Sequence, residues 1–322
     1  MSTKDKLTKA YMKDNAVFAD AFNYYVYSGR QVIKPGDLRE LDTAESAVIL
    51  EPPDSETIHP GTTSEQRYRD ILKSAVLKRQ DDTIYVVLGI ENQSDIHYAM
   101  PVRSLIYDGL QYGKQVQNKA ADHRKNGRHL SKSEFLSGFG KQDRLTPVVT
   151  LVVYFGVDRW DGARSIHEMM DVNDAELLRY VQDYRINLIE PAALSTEELD
   201  KFATSLREVL GYIKYLNDKD KLISFITATP DKLIDAEAAR VINIMTKTHI
   251  DIPEDVKEIN MCKAIEDLIN DSKAEGRSEG ITQEKDLRVR RYLMLHNNPQ
   301  EAATLFELPL DNVIAISKEL GG

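Results

Sequence analysis

The chain has very little cysteine: Cys262 stands alone among 322 residues. A single thiol excludes an internal disulfide and any Cys-rich zinc site, and it fits a reducing cytoplasm. Histidine is sparse too, and His97, His123, His129 and His167 are too scattered to argue for a metal site or a catalytic dyad. Ser94 has no base visible near it. No apolar run is long enough to span a membrane, and the lysine-bearing segment Met1 to Lys13 lacks the apolar stretch of a secretory signal. Cationic excess is also missing. A formal net charge of −10 argues against a protein that coats nucleic acid indiscriminately. What is present is a 42% hydrophobic fraction spread along the length, enough for a substantial core and for more than one domain.

The apolar spacing of Val17, Phe18, Ala21, Phe22 and Tyr25 predicts a helix over Asp14 to Tyr27. A Pro- and Gly-bearing stretch follows, read as loop with one short strand at Ala47 to Leu50. Asp70 to Lys78 and Thr83 to Gln93 are two apolar runs joined by Arg79 to Asp82, the pattern of a β-hairpin. Ala99 to Lys119 is helical in pattern. Val148 to Phe155 is almost continuously apolar and β-branched, as in a strand covered on both faces. Strand, helix and buried strand make a crossover unit, so the sheet is mixed, with one more strand at Tyr184 to Ile189. From Ser195 onward the pattern is helical: Thr196 to Leu216, Asp231 to Thr246 and Pro253 to Gln283, with Ala274 to Gly280 read as a polar connector, then two short helices around Leu308 and Pro309. The expected divisions are 1–192 for an α/β core, 193–260 for a helical region, and 261–322 for the connector and terminal helix pair.

Setting Lys78 opposite Thr83 places Val76 opposite Tyr85, Ser74 opposite Val87, Leu72 opposite Gly89, and Asp70 opposite Glu91. Directly opposed residues share a face, so two carboxylates converge at the open end of the hairpin. Gln93 lies on the same face, because strand side chains alternate. Gly89 leaves room beside the pair. Two like charges side by side repel, and a divalent cation would relieve them. Without Cys or clustered His, the donors favour a hard ion, Mg2+ or Mn2+. Unpaired carboxylates would also make alanine substitutions at either position neutral or stabilising in metal-free protein. A register slip of one residue would separate the pair onto opposite faces.

Ile90-Glu91-Asn92-Gln93-Ser94, followed by Met100-Pro101-Val102-Arg103 and Tyr107, resembles the Rpn family of recombination-promoting nucleases, also described as YhgA-like transposases. Pro147-Val148-Val149, Val153-Tyr154-Phe155-Gly156 with Trp160, Met261-Cys262-Lys263-Ala264-Ile265 and the Glu-Gly-Arg-x-Glu-Gly run resemble further parts of that family. The resemblance implies a PD-(D/E)XK, restriction-endonuclease-like α/β fold and metal-dependent hydrolysis of DNA linked to recombination or transposition. It implies Asp70 and Glu91 as metal ligands, with Gln93 where the superfamily carries lysine and Asn92 where this family often has His. It also points to an acidic residue from the first helix, for which Asp20 is the candidate, with Asp14 a further one.

Arg103 and Tyr107 lie four apart on one helix face. Arg103 either approaches the scissile phosphate or forms an ion pair with a core carboxylate. Gly113 to Arg144 holds eight basic residues against three acidic ones, a local +5, and Arg124, Lys125 and Arg128 within it are candidates for gripping DNA phosphates. The terminal helix pair has a helix-turn-helix outline, but Lys318 is the only basic residue of its second helix, so packing or homo-oligomerisation is expected there. Two other classes of function fit the same residues. One is a retired nuclease core that binds DNA as a scaffold; the other is a regulatory protein acting through its oligomeric helical tail.

Overall fold

A computed structural model describes residues 3–41, 44–46, 66–68, 70–79, 82–127, 131–172, 174–248, 250–296 and 298–320. Two compact units divide it, the first spanning 1–248 and 252–260, the second 249–251 and 261–322. In chain order the first unit contains α1 (Thr3–Lys13), α2 (Asn15–Tyr27), β1 (Leu38–Glu40), β2 (Ala44–Ser46), β3 (Gln66–Tyr68), β4 (Ile71–Arg79), β5 (Asp82–Gln93), α3 (Met100–Lys125), α4 (Lys132–Ser137) and β6 (Val148–Tyr154). It continues through α5 (Ala175–Leu178), β7 (Asn187–Ile189), α6 (Thr196–Leu199), α7 (Leu206–Tyr215), α8 (Lys219–Thr227), β8 (Leu233–Asp235), α9 (Ala236–Thr246) and β9 (Glu258–Asn260).

Five strands form one mixed sheet in the order β1-β4-β5-β6-β7. β4 and β5 are antiparallel with Lys78 facing Thr83 and Ile71 facing Ile90, the register expected from the sequence. β6 runs parallel to β5, and β7 parallel to β6, so α3 is the crossover between two parallel strands. Alternation splits the sheet into two faces. Ile71, Lys73, Ala75, Leu88 and Ile90 line one. Its buried Lys73 donates from Nζ to the Lys13 carbonyl and to Asn15 Oδ1, and its charge lies over the Phe18 ring, which ties the start of α2 to the sheet. Leu72, Val87, Val148, Thr150 and Val152 line the other, under α3.

α3 is held on that second face by polar contacts as well as apolar ones. Asp108 accepts hydrogen bonds from Thr150 Oγ1 (2.6 Å) on β6 and from the Tyr184 hydroxyl (2.7 Å). Met100, Val152, Tyr154, Trp160 and Ile186 form a buried cluster beneath the first turn of the helix. Tyr154 meets Trp160 edge-on, and a Cβ at Gly156 would lie 2.0 Å from the Tyr154 ring, so glycine is required beside this aromatic pair.

Several expectations are corrected. Thr196 to Leu216 is not one helix: the chain leaves helical geometry between α6 and α7, where residues 203–204 wrap a buried carboxylate on α2. Strand structure does not end at Ser195, since β8 and β9 form a two-stranded pair. The expected strand at Ala47 to Leu50 lies outside the described residues. In the second unit, α10 (Met261–His296) runs unbroken through the supposed connector, because Ala, Glu, Arg and Lys are strong helix formers and single glycines cost only about 1 kcal/mol each. α11 (Pro299–Leu305) and α12 (Leu310–Leu320) follow, with Val289, Leu293, Ala302 and Val313 buried together.

Candidate active site

The ladder carries Asp70 and Glu91 to its open end: Ile71 faces Ile90, and one step further opposes the two acids. Asp70 Oδ2 accepts the backbone N–H of Asn92 at 2.9 Å, which fixes its carboxylate beside the strand that bears Glu91. Glu91 is fully buried, and Arg103 Nη2 reaches its Oε2 at 2.9 Å from the first turns of α3. Arg103 and Tyr107 each experience the charge of both Glu91 and Asp70, and the guanidinium lies 5.6 Å from the Tyr107 ring centre. Of the two roles open to Arg103 from sequence, the ion pair with a core carboxylate is the one seen here. Gln93 shares the face of Glu91, and its amide donates to the Asn92 carbonyl at 3.0 Å.

Sequence reasoning missed α1 altogether. This polar helix lays Lys9 Nζ 3.7 Å from Asp70 Oδ1, while Asp5 accepts a hydrogen bond from Ser94 Oγ at 2.9 Å and adds negative charge near Asp70. The i, i+4 spacing of Asp5 and Lys9 was the available signal that they share a face. Each carboxylate therefore has its own cation, Arg103 on Glu91 and Lys9 on Asp70. The expectation of two unpaired, mutually repelling acids is corrected on that ground, and with it the expectation that Glu91→Ala would be neutral or stabilising.

Burial pushes the Asp70 carboxyl above its ordinary pKa, against the opposing pull of the Asn92 N–H, Lys9 and Arg103. A carboxyl raised in the folded state destabilises the fold wherever it is ionised, and the penalty disappears below its unfolded value of about 3.9. Asp70→Asn is therefore expected to raise the melting temperature at pH 7 in chelator. That gain should shrink as pH falls through the raised pKa and vanish in acid; a variant less stable than wild type at pH 7 would contradict the assignment. Burial opposes the Arg103 charge, but Glu91, Tyr107 and Asp70 outweigh it and hold the guanidinium firmly protonated. His97, whose Nδ1 is buried with no hydrogen-bond partner among the described residues, has its pKa pushed down by burial and by Arg103.

Other candidates go elsewhere. Asp20 is buried on α2, where its carboxylate accepts the N–H groups of Ala203 and Thr204 and the Thr204 hydroxyl. Those bonds hold the turn before α7, so Asp20 is corrected to a structural anchor. Asp14 caps α2 by accepting from Ala16 N and Val17 N. Arg124 and Lys125 are exposed at the end of α3, while Arg128 lies outside the described residues. His123, buried nearby, pairs with Asp143 at 2.6 Å and closes the basic segment back onto α3. Among the described residues no group of three or more His, Cys, Asp or Glu is arranged to hold a metal. The candidate donor set is the Asp70–Glu91 pair, which fits magnesium, an ion that takes one or two carboxylates and completes its shell with water and phosphate oxygens.

A family model described as "Putative transposase, YhgA-like" matches residues 61–243, more than half of the chain, including the crossover helix α3 and every strand of the five-stranded sheet except β1. No curated protein and no solved structure matches the chain. Among the described residues, no helix is long and apolar enough to cross a membrane.

Proposed function

Because the chain belongs to the YhgA-like transposase family, we propose that it is a metal-dependent DNA endonuclease built on a PD-(D/E)XK-like core, with Asp70 and Glu91 as the ligands of Mg2+ or Mn2+. The observation that carries this reading is the pair of acids at the open end of the β4–β5 ladder, each balanced by a partly exposed cation from a different helix. The divalent ion, when bound, supplies charge neutralisation and electrophilic polarisation at the scissile phosphate. With that charge on the carboxylates, Arg103 and Lys9 no longer need to neutralise them. Both side chains are more than a quarter exposed and can turn toward an incoming phosphate. Arg103 offers a planar fork to two phosphate oxygens, and Lys9 supplies the point charge that Gln93 cannot. Gln93, rotated off the Asn92 carbonyl, orients the attacking water.

Plasmid cleavage with magnesium, manganese, calcium or chelator tests the proposal. Nicking or linearisation in magnesium or manganese, absent in chelator, is expected; equal cutting in chelator would refute metal dependence. A second reading is a retired core that binds DNA without cutting it, favoured by the Gln93 amide being tied to backbone and Arg103 being locked on Glu91. Gln93→Lys separates the two. On the active reading wild type cuts and the variant retains or gains activity; an inert wild type rescued by lysine would establish retirement.

The exposed basic end of α3 should carry sequence-independent affinity. Neutralising Arg124, Lys125 and Arg128 together is expected to weaken duplex binding at all sequences and to flatten log K against log salt by up to about 3. The melting temperature should stay put, because exposed charge changes usually fall within about 0.5 kcal/mol. An unchanged salt slope would return this segment to ordinary solvated surface.

A further inference from the structure

The most exposed large apolar side chains near the basic end of α3 are Phe135 at 77% and Leu136 at 89%, adjacent on α4. The segment that presents them is firmly built. Ser131 and Glu134 form a reciprocal capping box at the start of α4, and Glu134 Oε1 also accepts Lys141 N. Gly138 ends the helix in the left-handed region, where a Cβ would come 2.7 Å from Ala120 Cβ, so the end of α4 sits directly against α3. Asp143 accepts Gly140 N and pairs with His123.

Charge says what Phe135 and Leu136 face. The acids of α4 and its return, Glu134 and Asp143, are engaged within the segment and with α3, whereas Lys132, Lys141 and Arg144 of the same segment are exposed, as are Arg124 and Lys125 at the end of α3. Arg144 Nη1 donates to the Lys141 and Asp143 carbonyls, which fixes its guanidinium at the surface. An apolar tip on a segment whose exposed charges are cationic is the pattern of a side-chain wedge that enters the stack of a polyanionic duplex while the cations hold phosphates. A second exposed apolar segment, with Leu177 and Tyr180, lies among Asp171, Asp174 and Glu176, and its charge would repel DNA.

We infer that Phe135 and Leu136 form a wedge that unstacks a base step of bound duplex DNA, with Lys132, Lys141 and Arg144 on the flanking phosphates. This rests on the proposal that the substrate is DNA and adds how the duplex is gripped. At about 1.5 Å per residue, α3 places Ala120, against which α4 ends, about 25 Å from Arg103. A duplex lying along α3 would meet the wedge about seven base pairs from the phosphate at Arg103, taking about 3.4 Å per base pair.

The test uses the full chain in chelator with short duplexes carrying 2-aminopurine at successive positions. A fluorescence rise over the free duplex is expected at interior positions, spread over several of them because phosphate contacts set no sequence register. Phe135→Ala/Leu136→Ala should lose the rise with an unchanged melting temperature, and Phe135→Trp should keep it. Duplex binding without a rise at any position would overturn the wedge and leave the nuclease reading standing. Loss of plasmid cleavage in magnesium, by contrast, bears on that reading alone. Binding to phosphatidylserine vesicles that depends on Phe135 and Leu136, with no 2-aminopurine response, would overturn it in favour of a lipid surface.

Discussion

Glu91→Ala and Asp70→Ala are each expected to abolish magnesium-dependent DNA cleavage, a fall of about 10³-fold or more. A bound cation supplies several kcal/mol of transition-state charge stabilisation, and each 1.4 kcal/mol is about tenfold in rate. The Asp70→Ala loss should not be explained by unfolding, since burial already disfavours that carboxylate in the folded chain. Added manganese should raise the melting temperature of wild type by mass action, about 2.7 kcal/mol at a hundredfold excess over the dissociation constant, and should not stabilise either variant. Plasmid nicking and thermal melts on the same preparations check both statements. Wild-type cleavage rates in both variants would remove Asp70 and Glu91 from the chemistry.

Arg103→Met carries the second large effect, and it is a stability effect. Glu91 is fully buried and paired with the Arg103 guanidinium at 2.9 Å. Removing one member of a buried ion pair leaves a desolvated charge behind, at a cost of about 3–5 kcal/mol. The variant should melt roughly 10 °C lower in chelator, given about 2–4 °C per kcal/mol for a unit of this size. Two further results identify the cause. The double variant Glu91→Met/Arg103→Met should recover most of the loss, because an apolar pair of similar volume replaces the buried charges. Magnesium should stabilise Arg103→Met more than wild type, since a cation there restores charge balance. An Arg103→Met protein as stable as wild type in chelator would mean that the ion pair contributes nothing.

Much of the site was legible because it depends on local order. The two apolar runs and their link determine the β4–β5 register, and register alone places Asp70 opposite Glu91. Helical spacing likewise put Arg103 and Tyr107 on one face, although it could not say whether the guanidinium holds Glu91 or awaits a phosphate. What was not legible depends on distant parts of the chain. Asp20 satisfies the N–H groups of residues 203–204, a contact no periodicity can reveal. α1 reads as a charged leader because its apolar positions are few, yet tertiary packing makes it a helix and brings Lys9 and Asp5 to the site. β8 and β9 are three residues each, too short for alternation to register.

Whether Asp70 and Glu91 jointly hold a divalent cation is decided by anomalous scattering from a crystal soaked in manganese. A single strong peak is expected at the Asp70 and Glu91 carboxylates, with Arg103 withdrawn from Glu91. A peak elsewhere in the chain, or none while Arg103 stays on Glu91, would contradict joint binding.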